Sequence, residues 1–229
     1  QKFSDENVSL SEGMHSRLKM LEYLKQAGID IKSTDTEIHL SEKETRKADS
    51  IIKMNNSTEK IRIVISPGSV RETKKWREDH YETLTSMLDK KPYHVYFFGS
   101  PAERSLTEKI TKNTGASNTF NYAGELSLPE SASLMKKMDL MLTNDSAPLH
   151  IANAVKTDVF AFFGPTVEKF GFFPYRENDY VFQVDLDCRP CSLHGGPKCP
   201  LGHHNCMKMI TPEMVYDKIK EKFFGENEK

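Results

Sequence analysis

Between residues 59 and 185, short apolar runs alternate with helical patterns, and that alternation leaves few folds open. Ile61 to Ile65, Tyr93 to Phe98, Met138 to Leu142 and Val159 to Phe163 read as buried strands. Glu78 to Leu88 carries Tyr81, Leu84 and Leu88 on one helical face. Ala102 to Lys112 reads as a second helix, and Ser127-Leu-Pro-Glu130 is a capping box that opens a third. Strands separated by helices pair in parallel and are covered on both faces. The fold class predicted is therefore α/β, a doubly wound parallel sheet. Such sheets bind ligands at the carboxyl ends of their strands.

The flanks differ in character. Residues 1–58 are polar and largely helical in pattern, with Leu18, Leu21, Tyr23, Leu24 and Ala27 predicting a helix that stops at Gly28. Glu37 to Leu40 is a short strand candidate, Ser41 to Met54 a further helix, and Asn55 to Thr58 a linker. Residues 186–210 break the alternation and hold all four cysteines. Thr211-Pro-Glu then starts a last helix, within 211–229, with Val215, Ile219 and Phe223 at helical spacing. The 32 basic and 33 acidic residues nearly cancel, which argues against nucleic acid or an anionic membrane as a partner of this segment. No apolar run approaches the roughly 20 residues of a membrane span, and no signal peptide is expected.

Four predicted strand ends carry suggestive loops. Met138 to Leu142 runs into Thr-Asn-Asp145-Ser146-Ala147-Pro148-Leu-His150, a strand, a tight turn and a helix start. Ser146 is placed to cap that helix, and Pro148 fits its first turn. A helix N-terminus points free N–H groups at an anion such as a diphosphate, with Asp145 and His150 flanking it. Ser66-Pro-Gly68-Ser69 follows the first strand, where Gly68 permits close backbone approach and Ser69 offers a hydroxyl. Lys74-Lys75-Trp76 comes a few residues later, with a lysine able to neutralise a diphosphate. Glu103, in the loop after the second strand, can accept from sugar hydroxyls or favour its own helix N-terminus. Phe163-Gly164-Pro-Thr166 ends the strand after the Asp145 turn and offers Thr166 as a phosphate or hydroxyl ligand. All four loops fall on one edge of the proposed sheet, as a nucleotide diphosphate linked to a polyol would require.

These motifs resemble glycosyltransferase family 9, the bacterial lipopolysaccharide heptosyltransferases. The resemblance rests on Pro67-Gly68 followed by Lys74-Lys75-Trp76, on Asn144 to His150, on Phe163 to Thr166, and on Cys188-Arg-Pro-Cys191 with Cys199 and Cys206-Met207. It covers about residues 14–223 and departs at Ala147, where the family usually has glycine. It implies one half of a GT-B architecture, the carboxyl-terminal, Rossmann-like donor domain. Residues 59–210 would be that domain and residues 1–58 the end of the acceptor domain with the interdomain linker. The implied donor is ADP-heptose, transferred with inversion and without a metal to a lipid-linked saccharide of the lipopolysaccharide core. Lys74 would meet the diphosphate, Asp145 and Glu103 the heptose or ribose hydroxyls, and Ser146 and Ala147 would supply N–H groups. An inverting displacement needs a general base near the acceptor hydroxyl. The family's base lies in the acceptor domain, and no catalytic residue can be named here. The expectation is thus a chain that binds donor and transfers little sugar alone, from a cytoplasmic protein that touches the inner membrane through its acceptor domain. A non-catalytic nucleotide-binding module and a transferase or epimerase of the same architecture using another sugar nucleotide stay open as alternatives.

Three states stay open for Cys188, Cys191, Cys199 and Cys206: a structural zinc, disulfides, or reduced thiols packing a proline-rich turn. The segment is expected to lie away from the strand ends. Phe170, Phe172 and Phe173 are expected to wall the cleft rather than fill the core.

Overall fold

The computed structural model describes residues 13–90 and 92–225. Six parallel strands form one sheet in the order β3-β2-β1-β4-β5-β6. The strands are β1 Ile61–Ser66, β2 Tyr93–Phe97, β3 Thr119–Asn121, β4 Leu140–Asn144, β5 Val159–Phe162 and β6 Tyr180–Phe182. The helices are α1 Ser16–Gln26, α2 Glu42–Met54, α3 Glu78–Met87, α4 Arg104–Thr114, α5 Leu128–Met135, α6 Ala147–Ala154, α7 Asn205–Lys208 and α8 Pro212–Phe224. The doubly wound parallel sheet expected from the alternation, and the Rossmann-like form implied by the resemblance, are thus present.

Side chains alternate across each strand, so a continuous apolar run feeds two cores at once. Ile63, Ile65, Val95, Phe97, Leu140, Leu142, Phe160 and Phe162 enter one layer with Tyr81 and Leu84 of α3, Leu88 at its C-terminal cap, Ile110 of α4, and Val215 and Ile219 of α8. Val64, Tyr96, Met141, Val159 and Ala161 point the other way, toward α2, α5 and α6. Ser41 and Glu44 close a capping box at the start of α2, and Ala48, Ile51 and Ile52 bury that helix in the second layer. The following turn is tied to β2, because the buried Ser57 hydroxyl meets Tyr96 Oη at 2.5 Å and His94 Nδ1 at 2.7 Å. α1 buries none of its residues. It is anchored at its N-terminus, where Ser16 N donates to Gly171 O at 2.8 Å and His15 Nε2 donates to Phe173 O at 3.0 Å. Gly171 permits that approach: its φ is 85°, and a Cβ there would lie 2.7 Å from Met14 O.

Three expectations change. Glu37 to Leu40 forms no strand; Ile38 and Leu40 instead pack against the second layer without joining the sheet. The strand expected at Met138 begins at Leu140, because Met138 closes a turn on Met135 O. Two edge strands, β3 and β6, are only three residues each and leave no alternating run to read.

The order of strands decides where a ligand can go. β1 lies between β2 and β4, so the chain leaves it in opposite directions, and a crevice opens at the carboxyl ends of β1 and β4. The loops after these two strands carry Gly68 to Trp76 and Asp145 to His150.

Phe162 tests the layer under this crevice. It is fully buried, stacked on Trp76 at 4.4 Å between ring centroids and edge-on to Tyr81. Phe162→Ala is expected to cost about 3–5 kcal/mol in urea unfolding, the usual range for emptying a buried phenylalanine site.

Candidate functional site

One side chain ties the two loops together. Asn144, the last residue of β4, is fully buried. Its Nδ2 donates to Pro67 O at 2.9 Å and to Gly68 O at 3.0 Å. Its Oδ1 accepts from Trp76 N at 2.8 Å and from Tyr81 Oη at 3.3 Å. Both donors and the acceptor oxygen of the amide are thereby used. Trp76, with 2% of its surface exposed, anchors the same loop by donating Nε1–H to Ile210 O at 2.8 Å. With the tryptophan fixed inward, the short helical turn of Glu72–Lys74 sits at the crevice rim.

Lys74 reaches across the crevice to Asp145, Nζ to Oδ2 at 2.6 Å, with 15% and 8% of the two side chains exposed. The same Asp145 oxygen accepts from Thr166 Oγ1 at 2.8 Å. Lys75, by contrast, turns outward and pairs with Glu72 at 2.6 Å. Of the two lysines in the motif, only Lys74 faces the site.

Two pockets flank the N-terminus of α6 and share Ser146 and Ala147. The first, about 300 Å³, brings together Lys74, Asp145, His150 and Thr166 beside an apolar wall of Phe163, Phe170 and Phe172. The second, about 430 Å³, has Gly68, Ser69 and Glu103 on one side and Leu126, Leu128, Met135 and Ile151 on the other. Glu103 closes a capping box, its Oε2 accepting from Ser100 N at 2.7 Å and Ser100 Oγ at 2.8 Å. Its other oxygen lies over Gly68, where a Cβ would come within 1.6 Å. A side chain at position 68 would displace that carboxylate, the movable end of Glu103.

Ser146 does not cap α6 with its side chain, contrary to expectation. Its hydroxyl turns back to Asn144 O and Thr143 Oγ1, each at 3.3 Å. The cap would have served Leu149 N–H, which donates to Ser146 O at 3.1 Å instead, while the Ser146 and Ala147 N–H groups lie at the helix start with no intrahelical acceptor. Ala147 is absent from the residues of positive φ, so a methyl replaces the usual glycine hydrogen without backbone strain. Gly164 is buried behind the pocket, where a Cβ would lie 3.0 Å from Met207. Phe170 and Phe172 wall the first pocket as expected, whereas Phe173 packs into the second core layer.

The cysteine-rich segment departs furthest from expectation. It folds back on the Lys74 loop instead of lying away from the strand ends. Thr73 N donates to Gly196 O at 3.1 Å, Gly196 N donates to Thr73 Oγ1 at 2.8 Å, and His204 Nε2 donates to Thr73 O at 2.8 Å. Leu193 and His194 consequently join the lining of the first pocket. The four thiols are free, with Cys206 buried and Cys191 exposed. Among the described residues, no three His, Cys, Asp or Glu side chains gather to hold a metal ion. Burial pushes the Cys206 thiol up to about 11, which keeps it protonated at neutral pH.

Desolvation pushes the His150 imidazole below its ordinary value; Asp145 opposes that shift and Lys74 adds to it. Beside this ring, Lys74 is the cation held in the pocket by its pair with Asp145.

A profile of glycosyltransferase family 9 (heptosyltransferase) matches residues 11–198. The chain belongs to this family. It is 29% identical over 224 residues to lipooligosaccharide heptosyltransferase 2 of Campylobacter jejuni, covering 96% of this chain and 67% of that one. It is 28% identical over 191 residues to lipooligosaccharide heptosyltransferase 2 of Haemophilus influenzae, covering 80% and 54%. Two solved structures share the fold: the family 9 glycosyl transferase of Veillonella parvula, with TM-score 0.77, 20% identity and coverage of 90% and 59%, and ADP-heptose lps heptosyltransferase II of E. coli, with TM-score 0.63, 24% identity and coverage of 80% and 52%. The chain thus spans about half to two thirds of the length of these family members.

Sequence patterning assigns no role to Asn144, although a polar residue ending an apolar strand is a readable signal. The apolar wall of Leu126, Leu128, Met135 and Ile151 left no such signal, because its members come from two helices and a loop.

Two outcomes follow. Asn144→Ala leaves Trp76 N–H and two loop carbonyls without partners, each worth about 1–3 kcal/mol when buried. Its unfolding midpoint in urea is expected to fall more than that of Thr166→Val. Burial is the main cause that lowers the pKa of His15, His80, His94 and His150 alike. Between the lowered values and about 6.5 the unfolded chain binds more protons, so stability falls as pH drops through that range. Urea midpoints should be lower at about pH 5.5 than at about pH 7.5; equal midpoints would mean that these rings charge freely in the folded protein.

Proposed function

We propose that this chain is the donor-binding part of an inverting glycosyltransferase that moves a heptose from ADP-heptose to a lipopolysaccharide core acceptor. The observation that carries this reading is the N-terminus of α6 between two pockets of different character, with Lys74 beside it. A nucleoside diphosphate sugar has the same order of parts: a flat apolar base, a polar anionic link and a polyol. The base takes the apolar pocket of Leu126, Leu128, Met135 and Ile151, and Glu103 there accepts from ribose hydroxyls. The diphosphate crosses the helix start, where Ser146 and Ala147 offer N–H groups and the helix dipole favours negative charge. Lys74 leaves Asp145 for the phosphate, and Asp145 and Thr166 turn to the sugar hydroxyls with His150 at the same rim. Charge on the departing ADP is then balanced by Lys74 and backbone amides, without a cofactor.

Direct displacement also needs a base that takes the acceptor proton. In this reading Asp145 and Glu103 both accept from hydroxyls of the donor itself, which leaves neither for the acceptor proton. The chain alone is therefore expected to bind donor and show little acceptor-dependent turnover. The acceptor, the base and contact with the cytoplasmic face of the inner membrane belong to the remainder of a full-length family member. Among the described residues, no helix is long and apolar enough to cross a membrane. A structural zinc on Cys188, Cys191, Cys199 and Cys206 is a separate proposal: the four thiols share one short segment but do not gather in this structure, so the ion would have to draw them together, and metal analysis of protein purified without added zinc tests it.

Calorimetric titration with ADP and UDP tests the donor assignment. ADP is expected to bind more tightly than UDP, and Lys74→Ala to weaken ADP by about tenfold or more, equivalent to ~1.4 kcal/mol. UDP preference would change the donor and keep the site. Equal affinity of Lys74→Ala and the unaltered chain would remove Lys74 from the diphosphate.

A further inference from the structure

The cysteine-rich segment touches both halves of the Lys74–Asp145 pair. On the lysine side, Gly196 and His204 hold Thr73, the residue before Lys74. On the aspartate side the agent is Arg189, between the first two cysteines. Its Nη2 donates to Phe163 O at 3.0 Å, Thr166 O at 2.9 Å and Gln183 Oε1 at 3.3 Å. Its Nε donates to Gly164 O and its Nη1 to Val184 O. All three guanidinium nitrogens are therefore engaged, and three of the acceptors are carbonyls of the single turn 163–166.

That turn has one polar side chain aimed at the site. Thr166 is 2% exposed, and its hydroxyl donates to the Asp145 oxygen that also meets Lys74. A shift of the turn therefore passes to Asp145 through one hydroxyl, and from Asp145 to the lysine.

We propose that Arg189 is a positioning residue for donor binding: it fixes the turn 163–166 so that Thr166 holds Asp145, and thereby Lys74, in the geometry that receives the diphosphate. The inference rests on reading this pocket as the diphosphate-sugar site. It gives the cysteine-rich segment a task in that site, as a bracket that grips the Lys74 loop with Gly196 and His204 and the Thr166 turn with Arg189. Lysine cannot replace the arginine, because a point ammonium cannot span carbonyls that a planar fork reaches together.

The test is a double-mutant cycle read by calorimetric titration of the whole chain with ADP. Arg189→Lys retains the charge and most of the stem; Thr166→Val removes the hydroxyl that links the turn to Asp145. Each is expected to weaken ADP binding by about five- to tenfold, and the double variant by no more than about twofold beyond the weaker single, because residues acting through one contact are not additive. Unfolding midpoints of all variants are measured alongside, and Arg189→Gln replaces Arg189→Lys in the cycle should the lysine variant melt below the titration temperature. Unchanged ADP affinity in the arginine variant overturns the proposal, and so does a double variant whose loss equals the product of the two singles, since either result leaves Arg189 with a role in the fold alone. An unaltered chain that fails to bind ADP overturns the donor reading itself, and the inference with it.

Discussion

The cleft depends on the amide of Asn144. At the point where the winding of the sheet reverses, the loops after β1 and β4 diverge, and no strand pairing holds them together. Asn144 supplies that link from the interior. Two donors grip the Pro67-Gly68 carbonyls, and the oxygen takes Trp76 N–H and Tyr81 Oη. Burying an amide is costly unless its hydrogen bonds are made, and here the full set is made to groups that would otherwise be unpaired themselves. The stack of Trp76 on Phe162 then fixes the outer loop against the sheet. Gly68, Lys74 and Asp145 take their places as consequences of that arrangement.

The ion pair across the cleft has a different logic. Lys74 and Asp145 are both largely shielded from water, so neither gains much stability from the pair once desolvation is counted. What the pair provides is position. Asp145 receives the lysine and the Thr166 hydroxyl on one oxygen, and the lysine lines the same pocket as Ser146 and Ala147 at the start of α6. In the proposed donor complex an anion would meet a cation already in place instead of one that must be ordered on arrival, which lowers the entropic cost of binding. The cysteine-rich segment belongs to this arrangement, since it packs against the loop of each partner.

Much of the architecture was legible from periodicity. The four longer strands bury both faces and read as apolar runs of a length that suits a parallel sheet, and α2, α5 and α8 announce themselves through Ser41, Ser127 and Thr211, each accepting a backbone N–H at its helix start. The failures have physical causes. Glu37 to Leu40 alternates like a strand, yet alternation also serves a coil that presses Ile38 and Leu40 onto a core. Ser146 has the composition of a helix cap, but a hydroxyl chooses among nearby acceptors, and Asn144 O and Thr143 Oγ1 are within reach. β3 and β6 owe their existence to a neighbouring strand edge rather than to three residues of their own.

By itself, the sequence determined the fold class and the chemical types gathered at the edge of the sheet where the candidate site forms: a lysine, two carboxylates, hydroxyls and a helix start. These follow from local rules, because period, capping and turn chemistry act over a few residues. Tertiary structure alone decided which of them meet. It chose Lys74 over Lys75, set Glu103 above Gly68 in one pocket and Asp145 with Thr166 in the other, and brought Arg189, Leu193 and His194 from a distant segment to the same place. Those choices depend on contacts between residues far apart in the chain, and such contacts are settled by packing and by the pairing of buried polar groups, which no local pattern records.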